Sequence, residues 1–356
     1  MHSMQIVDWG QALTPMDAPN PAPQGTEVLV RVTGCGVCHS DVHIQDGIID
    51  MGGGRKVEYA KLGFALPHTL GHEIVGIVEA LGPDIEGGGS GAKIGDKRVV
   101  FPWIGCGACD FCRRGEELLC ANGRALGVRA PGGYADHVLV PHPRYLVDYT
   151  GVPEALAATY ACSGLTAYSA LKKLAHLGPE ETIIIIGAGG VGLSAVMIAP
   201  AAVKARVVVA DISPEKRDAA LKAGAAAVYD NGAKDVLKEL RAATQFGAGA
   251  AGAIDFVGAP ATAQFAVNAL RRGGTLVEVG LAGGETPFGI LTFMQRMLTI
   301  TGSYVGSLAE LKELMALVKA GKVPPIPVAT RPLDQANAVL TDLRAGKISG
   351  RVVLTP

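Results

Sequence analysis

Four of the seven cysteines in this 356-residue chain, Cys106, Cys109, Cys112 and Cys120, crowd into one short stretch, CGACDFCRRGEELLC. Their spacing is C-x2-C-x2-C-x7-C. Thiolates this close can converge on one ion. Zinc takes four in a tetrahedron at about 2.3 Å each, and a four-sulfur shell leaves no position open for chemistry. A four-cysteine iron–sulfur site is the competing metal reading. The zinc reading makes the group structural, and Gly105 and Gly107 let the backbone wrap it closely. The odd cysteine count argues against a disulfide framework. Met1 to Gly10 (MHSMQIVDWG) has no basic segment followed by an apolar one and does not read as a secretory signal, so a cytoplasmic protein is expected.

The other cysteines are dispersed. Cys38 lies in the polar cluster Gly36 to His43 (GVCHSDVH), His72 in Gly71-His72-Glu73, and Cys162 at the start of the helix-like run after Ala161. Cys, His and Cys would be three protein ligands with an open fourth position, which is how a catalytic zinc is built. Cys35 reads as packing, the commoner fate of a buried cysteine.

A second kind of chemistry starts at Thr182 to Ile186, an apolar strand with four consecutive isoleucines. Gly187-Ala188-Gly189-Gly190-Val191-Gly192 follows at once as G-x-G-x-x-G, and then a helical pattern. The first glycine permits the tight turn, the second lets a pyrophosphate approach, and the third lets helix pack on strand. The helix N-terminus faces the phosphates with free N–H groups. Arg206 to Ala210 is the next strand and ends at Asp211, 19 residues past Gly192. An acid there accepts hydrogen bonds from a ribose 2′-hydroxyl and repels a 2′-phosphate, which favours NAD over NADP.

The elements that must position these groups fall into two patterns. Residues 1–155 show short strands, among them Val28 to Val32 and Ile74 to Val78, with many Gly and Pro turns and little helix. After Thr182, strands alternate with helices. Strands are expected at Ala253 to Val257, Thr275 to Val279 and Leu298 to Thr301, and helices at Ser213 to Ala223 and Ala261 to Arg271. Such alternation predicts a parallel, doubly wound sheet. No internal repeat is present, and the one low-complexity run is the glycine-rich Gly87 to Gly91. With 32 basic and 33 acidic residues the formal net charge is −1, which gives no long-range attraction to nucleic acid or an anionic membrane. Hydrophobic residues at 49% and charged ones at 18% support a large core and exclude wholesale disorder. The uncharged run of 22 residues from Thr182 to Val203 is long enough to span a bilayer, but its glycine cluster and Pro200 make a strand, turn and helix the better reading.

Together, GVCHSDVH, GHE, the four-cysteine lobe, CSGLT (Cys162 to Thr166) and the nucleotide turn resemble the zinc-containing alcohol dehydrogenases of the medium-chain dehydrogenase/reductase family, over nearly the whole chain. The resemblance implies an α/β protein: a GroES-like, mostly-β catalytic domain and an inserted Rossmann NAD-binding domain with the active site in the cleft between them. The boundaries it suggests are 1–158 for the first part, with the structural zinc lobe at about 101–121, 159–303 for the nucleotide domain, and 304–356 for the return to the catalytic domain. It also implies roles. Cys38, His72 and Cys162 would hold the catalytic zinc, and Cys106, Cys109, Cys112 and Cys120 the structural one. Glu73 would approach the metal during ligand exchange, and Asp41 would orient His72. Ser40 would bond the substrate oxygen, and His43 would pass the proton on through the cofactor ribose to solvent. His39 and Arg351 (SGRVV) would hold the pyrophosphate, and Thr166 would pack on the nicotinamide.

The reaction so implied is the NAD-dependent interconversion of primary or secondary alcohols with aldehydes or ketones. An alkoxide stabilised on zinc expels hydride to the nicotinamide. Relatives of this length suggest a homotetramer, with a homodimer as the alternative. The rival readings are a member specialised for a polyol, an aryl alcohol or a formaldehyde adduct, and a non-catalytic nucleotide-binding protein. A carboxylate as third ligand would have favoured a polyol enzyme, and Cys162 stands there instead. A zinc-free quinone reductase is opposed by both cysteine sets.

Two features depart from the pattern. Cys38 and His72 are 34 positions apart, longer than the resemblance to bacterial and yeast family members implies. The additional residues lie in Asp46 to Pro67, where a frequent tryptophan is missing and Ile48, Ile49 and Met51 stand nearby. That segment reads equally as a reshaped pocket for bulky or aromatic alcohols or as an outward loop. Pro200 falls inside the helix after the nucleotide turn and is expected to kink or shorten it.

Overall fold

The computed structural model describes residues 1–85, 91–348 and 350–356; of the glycine-rich stretch and the SGRVV motif, Gly87, Gly88, Gly89, Ser90 and Ser349 lie outside them. Two sheets carry the chain. The first has seven strands, in the order Leu146–Asp148, Lys97–Val100, Glu73–Leu81, Val28–Gly36, Arg351–Thr355 and Val328–Pro332, with His137–Val140 also paired to Val28–Gly36. Its pairings are antiparallel except the last two strands in that order, which run parallel. Alternating β-branched residues place Val28, Val30 and Val32 in the core, while Arg31 faces out. The strand closest to the C-terminus thus completes a sheet begun by the N-terminal part, with Val353 opposite Gly36 and Leu354 opposite Cys35.

The second sheet has six parallel strands in the order Val228–Tyr229, Arg206–Ala210, Thr182–Ile186, Ala250–Asp255, Leu270–Glu278 and Thr299–Gly302. Successive isoleucines of the central strand point to opposite faces. Ile183 and Ile185 join the core beneath the helices Leu165–Lys172 and Gly190–Ala202. Ile184 and Ile186 pack with Phe265 and Ala266 of the helix Pro260–Ala269. Both faces being covered explains an all-apolar strand where a half-buried one would alternate. The order reverses between Thr182–Ile186 and Ala250–Asp255, the place where such sheets bind ligands at their carboxyl ends.

Several expected elements differ in detail. The helix expected to reach Arg271 stops at Ala269, because Leu270 is already extended and opens the strand Leu270–Glu278. The polar cluster around Cys38 forms a helix, His39–Asp46, that its lack of apolar periodicity concealed. Pro200 neither breaks nor visibly shortens its helix. Gly190–Ala202 runs 13 residues, Pro200 sits in the last turn, and Val203 N–H still closes onto the Ala199 carbonyl at 2.9 Å. Among the described residues no helix is long and apolar enough to cross a membrane, and 182–203 is the strand, turn and helix expected. Asp46 to Pro67 forms the hairpin Ile48–Asp50 with Lys56–Glu58 and a 3₁₀ turn, Tyr59–Leu62. Its tip meets the nucleotide-binding half: a Cβ on Gly52 would lie 2.7 Å from the Gly284 carbonyl oxygen.

Candidate metal centres and nucleotide turn

Three separate pieces of chain bring Cys38, His72, Glu73 and Cys162 together, with one ligand atom of each within 4.8 Å of the others, all buried. Cys38 caps the helix His39–Asp46, and His72 ends the turn before Glu73–Leu81. Cys162 lies in a π-helical turn, Tyr160–Gly164, that interrupts the helices Glu154–Thr159 and Leu165–Lys172. Such turns recur at functional sites. Space for the group depends on Gly36, where any Cβ would fall 2.0 Å from Glu73 Oε2.

His72 Nδ1 faces Asp41 Oδ1 at ion-pair distance, 3.3 Å, with both side chains fully buried, and neither these two atoms nor His72 Nε2 and Glu73 Oε2 has a hydrogen-bond partner. Ser40 Oγ lies 3.5 Å from Cys38 Sγ. The neighbouring Cys162 thiol, more than any other group, holds the Cys38 thiol well below its ordinary range. Burial pushes the Glu73 carboxyl up to about 7 against the pull of Arg351. Arg351 donates to Glu73 Oε1, and its stem also passes beside Gly190, where a Cβ would meet Arg351 Cδ at 2.8 Å. The residue expected at the pyrophosphate therefore touches both the nucleotide turn and the metal cluster.

Cys106, Cys109, Cys112 and Cys120 converge on one point, with Cys109 Sγ 3.4 Å from Cys112 Sγ and Cys106 N–H donating to Cys120 Sγ at 3.3 Å. None of the seven cysteines is in a disulfide. At the nucleotide turn Gly187 takes φ +87°, and a Cβ on Gly192 would lie 1.8 Å from the Gly187 carbonyl oxygen, so helix and strand meet only through glycine there. Asp211 is buried beside the turn; its Oδ2 accepts Ala188 N–H and its Oδ1 accepts Ser213 N–H, both at 2.8 Å. Thr166 is buried one turn after Cys162, His39 is exposed, and His43 is half-buried.

Several site residues had no signal in the sequence. The Trp103 ring lies 5.2 Å from that of His72, its Nε1 donates to the Ala161 carbonyl at 3.1 Å, and Tyr304 meets it edge-on at 5.7 Å. Trp9, the other tryptophan, stacks on Tyr59 of the 46–67 segment at 6.5 Å. Aromatic residues thus reach this region from distant parts of the chain, which spacing alone does not reveal.

The sequence profile of the alcohol dehydrogenase GroES-like domain matches residues 24–151, and that of a zinc-binding dehydrogenase matches residues 190–320. An NAD-dependent alcohol dehydrogenase of Sulfurisphaera tokodaii is 39% identical over 100% of both chains. The chain belongs to the zinc-containing alcohol dehydrogenases of the medium-chain dehydrogenase/reductase family. The alcohol dehydrogenase structure from Aeropyrum pernix superposes on this family member with a TM-score of 0.89 at 33% identity, covering 100% of each chain. The family also reaches other substrates: a D-arabinose 1-dehydrogenase (NADP(+)) of Saccharolobus solfataricus is 32% identical, over 98% of this chain and 95% of its own. The donor sets fit the family's metal. Two thiols and an orphaned imidazole nitrogen suit zinc with one position open, and four thiols suit zinc with none.

Proposed function

We propose that this protein is an NAD-dependent zinc alcohol dehydrogenase that interconverts primary or secondary alcohols with aldehydes or ketones. The convergence of Cys38, His72, Glu73 and Cys162 beside the nucleotide turn carries this reading. When bound, zinc supplies the Lewis acidity that lowers the pKa of an alcohol hydroxyl, and NAD supplies the hydride acceptor.

The chain's own residues do the rest. Cys38, His72 and Cys162 hold the catalytic ion, and the four-cysteine lobe holds the structural one, giving two zinc ions per chain. Asp41 fixes the His72 ring and its tautomer. Ser40 takes the hydroxyl proton from the substrate. His43, three residues on, shares a face of the same helix and hands that proton outward. Gly187, Gly189, Gly190, Val191 and Gly192 present the turn to the pyrophosphate, with His39 and Arg351 as its cationic or hydrogen-bonding partners. Asp211 receives the ribose hydroxyls and excludes a 2′-phosphate, and Thr166 packs on the nicotinamide. Trp103, edge-on to Tyr304, sets an aromatic face beside His72 and favours a flat, aromatic alcohol within this class.

The same reading divides the chain at 1–158, 159–303 and 304–356, supported by the pairing of Arg351–Thr355 with Val28–Gly36. A homotetramer in the cytoplasm is proposed in preference to a dimer. An association surface is supported by the edge strand Thr299–Gly302 and by Ile290, Leu291, Met294 and Met297, which are 61–87% exposed on the adjoining segment. The deciding experiment follows NADH or NADPH formation by zinc-replete protein with short primary, secondary, benzylic and polyol alcohols. Turnover with NAD, highest for benzylic members, is expected. No turnover with any alcohol removes the dehydrogenase reading in favour of a nucleotide-binding protein.

A further inference from the structure

We propose that Tyr134 and Tyr145 are positioning residues, each bracing one of the two metal sites through a buried carboxylate, and that the two braces act independently. The inference rests on the metal-site reading above, and not on the identity of the alcohol.

At the Cys38–His72–Cys162 site the carboxylate is Asp41, which is fully buried. Its Oδ2 accepts two hydrogen bonds, from Cys38 N–H at 2.9 Å and from the Tyr134 hydroxyl at 3.0 Å. Its Oδ1 is left to face His72 Nδ1 at 3.3 Å. One side chain therefore holds the backbone of Cys38 by a hydrogen bond and sets its other oxygen at ion-pair distance from the His72 ring. Tyr134 cannot easily move. It is fully buried, its N–H donates to the Leu70 carbonyl at 2.9 Å, and its own carbonyl accepts Met4 N–H at 2.8 Å. Its ring lies flush on Gly71, the residue before His72, where a Cβ would come 2.4 Å from the ring.

The four-cysteine lobe repeats the arrangement with unrelated residues. Glu117, buried between Cys112 and Cys120, accepts Gly105 N–H at 2.7 Å and the Tyr145 hydroxyl at 2.8 Å through Oε2. Arg144 Nη2 donates to Oε1 at 3.1 Å. Gly105 directly precedes Cys106, so again a carboxylate holds backbone beside a ligand. Tyr145 belongs to the body of the protein: its ring stacks on Phe101 at 6.2 Å, and its carbonyl accepts Phe101 N–H at 2.7 Å. The lobe is thereby tied to the first sheet.

A phenol suits this role. It donates one hydrogen bond to a buried carboxylate oxygen and brings no charge that would oppose a cation at the ligands. Without it the carboxylate keeps a buried, unsatisfied lone pair and loses one of the contacts that set its orientation. Loss of such outer partners typically costs about 10–100-fold in metal affinity.

The test uses the full chain loaded with two zinc ions and follows their release to a chromogenic chelator. Cys38→Ser and Cys109→Ser assign each kinetic phase, since each removes one. Tyr134→Phe is expected to release the Cys38–His72–Cys162 ion about 10–100-fold faster and leave the lobe ion unchanged. Tyr145→Phe is expected to do the reverse. With cobalt(II) in the Cys38 site, Tyr134→Phe should also shift the visible absorption bands, which a general loss of stability would not do. Equal acceleration of both phases in either variant, or no acceleration in either, overturns the proposal. If Tyr134→Phe does not fold, Tyr145→Phe alone decides: selective release of the lobe ion supports independent bracing, and any other pattern overturns it. Turnover is not the readout. An inactive parent holding two zinc ions would remove the dehydrogenase reading and leave this inference standing, whereas an active parent with unaltered release in both variants would remove this inference alone.

Discussion

Arg351 donates to Glu73 across a sequence separation of 278 residues, and both side chains are almost wholly withdrawn from solvent. Burying two charges is costly unless each has the other, so removing one partner should hurt far more than removing both. Arg351→Met is expected to lower unfolding stability by about 3–5 kcal/mol and to weaken NAD binding. The Arg351→Met/Glu73→Gln double variant should lose much less than the sum of the single losses. Denaturant unfolding of the three variants measures the coupling. Additive losses would show that the contact has no energetic role.

The two cysteine sets should fail in different ways. Cys162→Ser removes a proposed ligand of the catalytic ion, so turnover should fall by about 10³-fold or more while NAD affinity stays nearly unchanged. Cys109→Ser should instead lower the thermal midpoint first and reduce activity only as protein unfolds. Metal content, NAD titration and thermal melts separate the cases. Full activity in Cys162→Ser with unchanged metal content would sink its assignment as a ligand.

The proposed ribose role makes Asp211 the residue that selects between the two nicotinamide cofactors. Asp211→Ala removes a charged hydrogen-bond acceptor, a loss of about 1.5–3 kcal/mol, and should raise the KM for NAD by ten-fold or more. NADP turnover should rise at the same time, since the repulsion of its phosphate is gone. The variant also frees Ala188 N–H and Ser213 N–H, so a lower melting temperature is expected as well. Unchanged NADP use would argue that selectivity lies elsewhere.

Asp255 and Glu278 are direct partners in the parallel sheet. Asp255 is fully buried, with Oδ1 accepting Val257 and Gly258 N–H, and burial together with that neighbour raises the Glu278 carboxyl from its ordinary 4.5 to about 7. The folded protein therefore holds this proton more tightly than the unfolded chain. The stabilisation is fully present below about pH 4.5 and is lost as pH rises through 7. Glu278→Gln should leave stability unchanged at pH 4 and raise it by about 1 kcal/mol at pH 8, a value reduced for the partial exposure of the group. Thermal melts across that range test the sign: a variant less stable than the parent at pH 8 contradicts it.

What the sequence made legible follows from what sets each feature. Thr182–Ile186 and Arg206–Ala210 form as expected because both faces of those strands are buried and every residue is apolar or at the edge. Ser213 starts the helix Pro214–Lys222 where expected, since its side chain accepts Lys216 N–H as an N-cap. The two converging groups, Cys38 with His72 and Cys162 and the four cysteines of the lobe, were marked by residue type and local motif. By contrast, the helix carrying Ser40 and His43 is stabilised by a polar cap, Asp41 on Cys38 N–H, and has no apolar stripe to betray it. Tyr134, Trp103 and Glu117 act on partners 93, 31 and 12 residues away or more tightly folded than any spacing records. A lone aromatic or acid in sequence carries no distance, and only the folded sheet supplies it.

The sheet closed by Arg351–Thr355 imposes an order on biosynthesis. Residues 182–302 form one continuous run that can fold while the rest of the chain is still being made. The four-cysteine lobe lies within one short stretch and can take its ion equally early. Cys38, His72 and Cys162 have no such freedom, because the sheet that Cys38 and His72 adjoin lacks its Arg351 strand until translation is nearly over. At about 5–20 residues per second, Cys38 waits roughly 15–60 s after leaving the ribosome's active centre before that strand exists. For that interval its thiol depends on the reducing state of the surrounding compartment, so loading of the catalytic ion is a late event that competes with oxidation of the nascent chain.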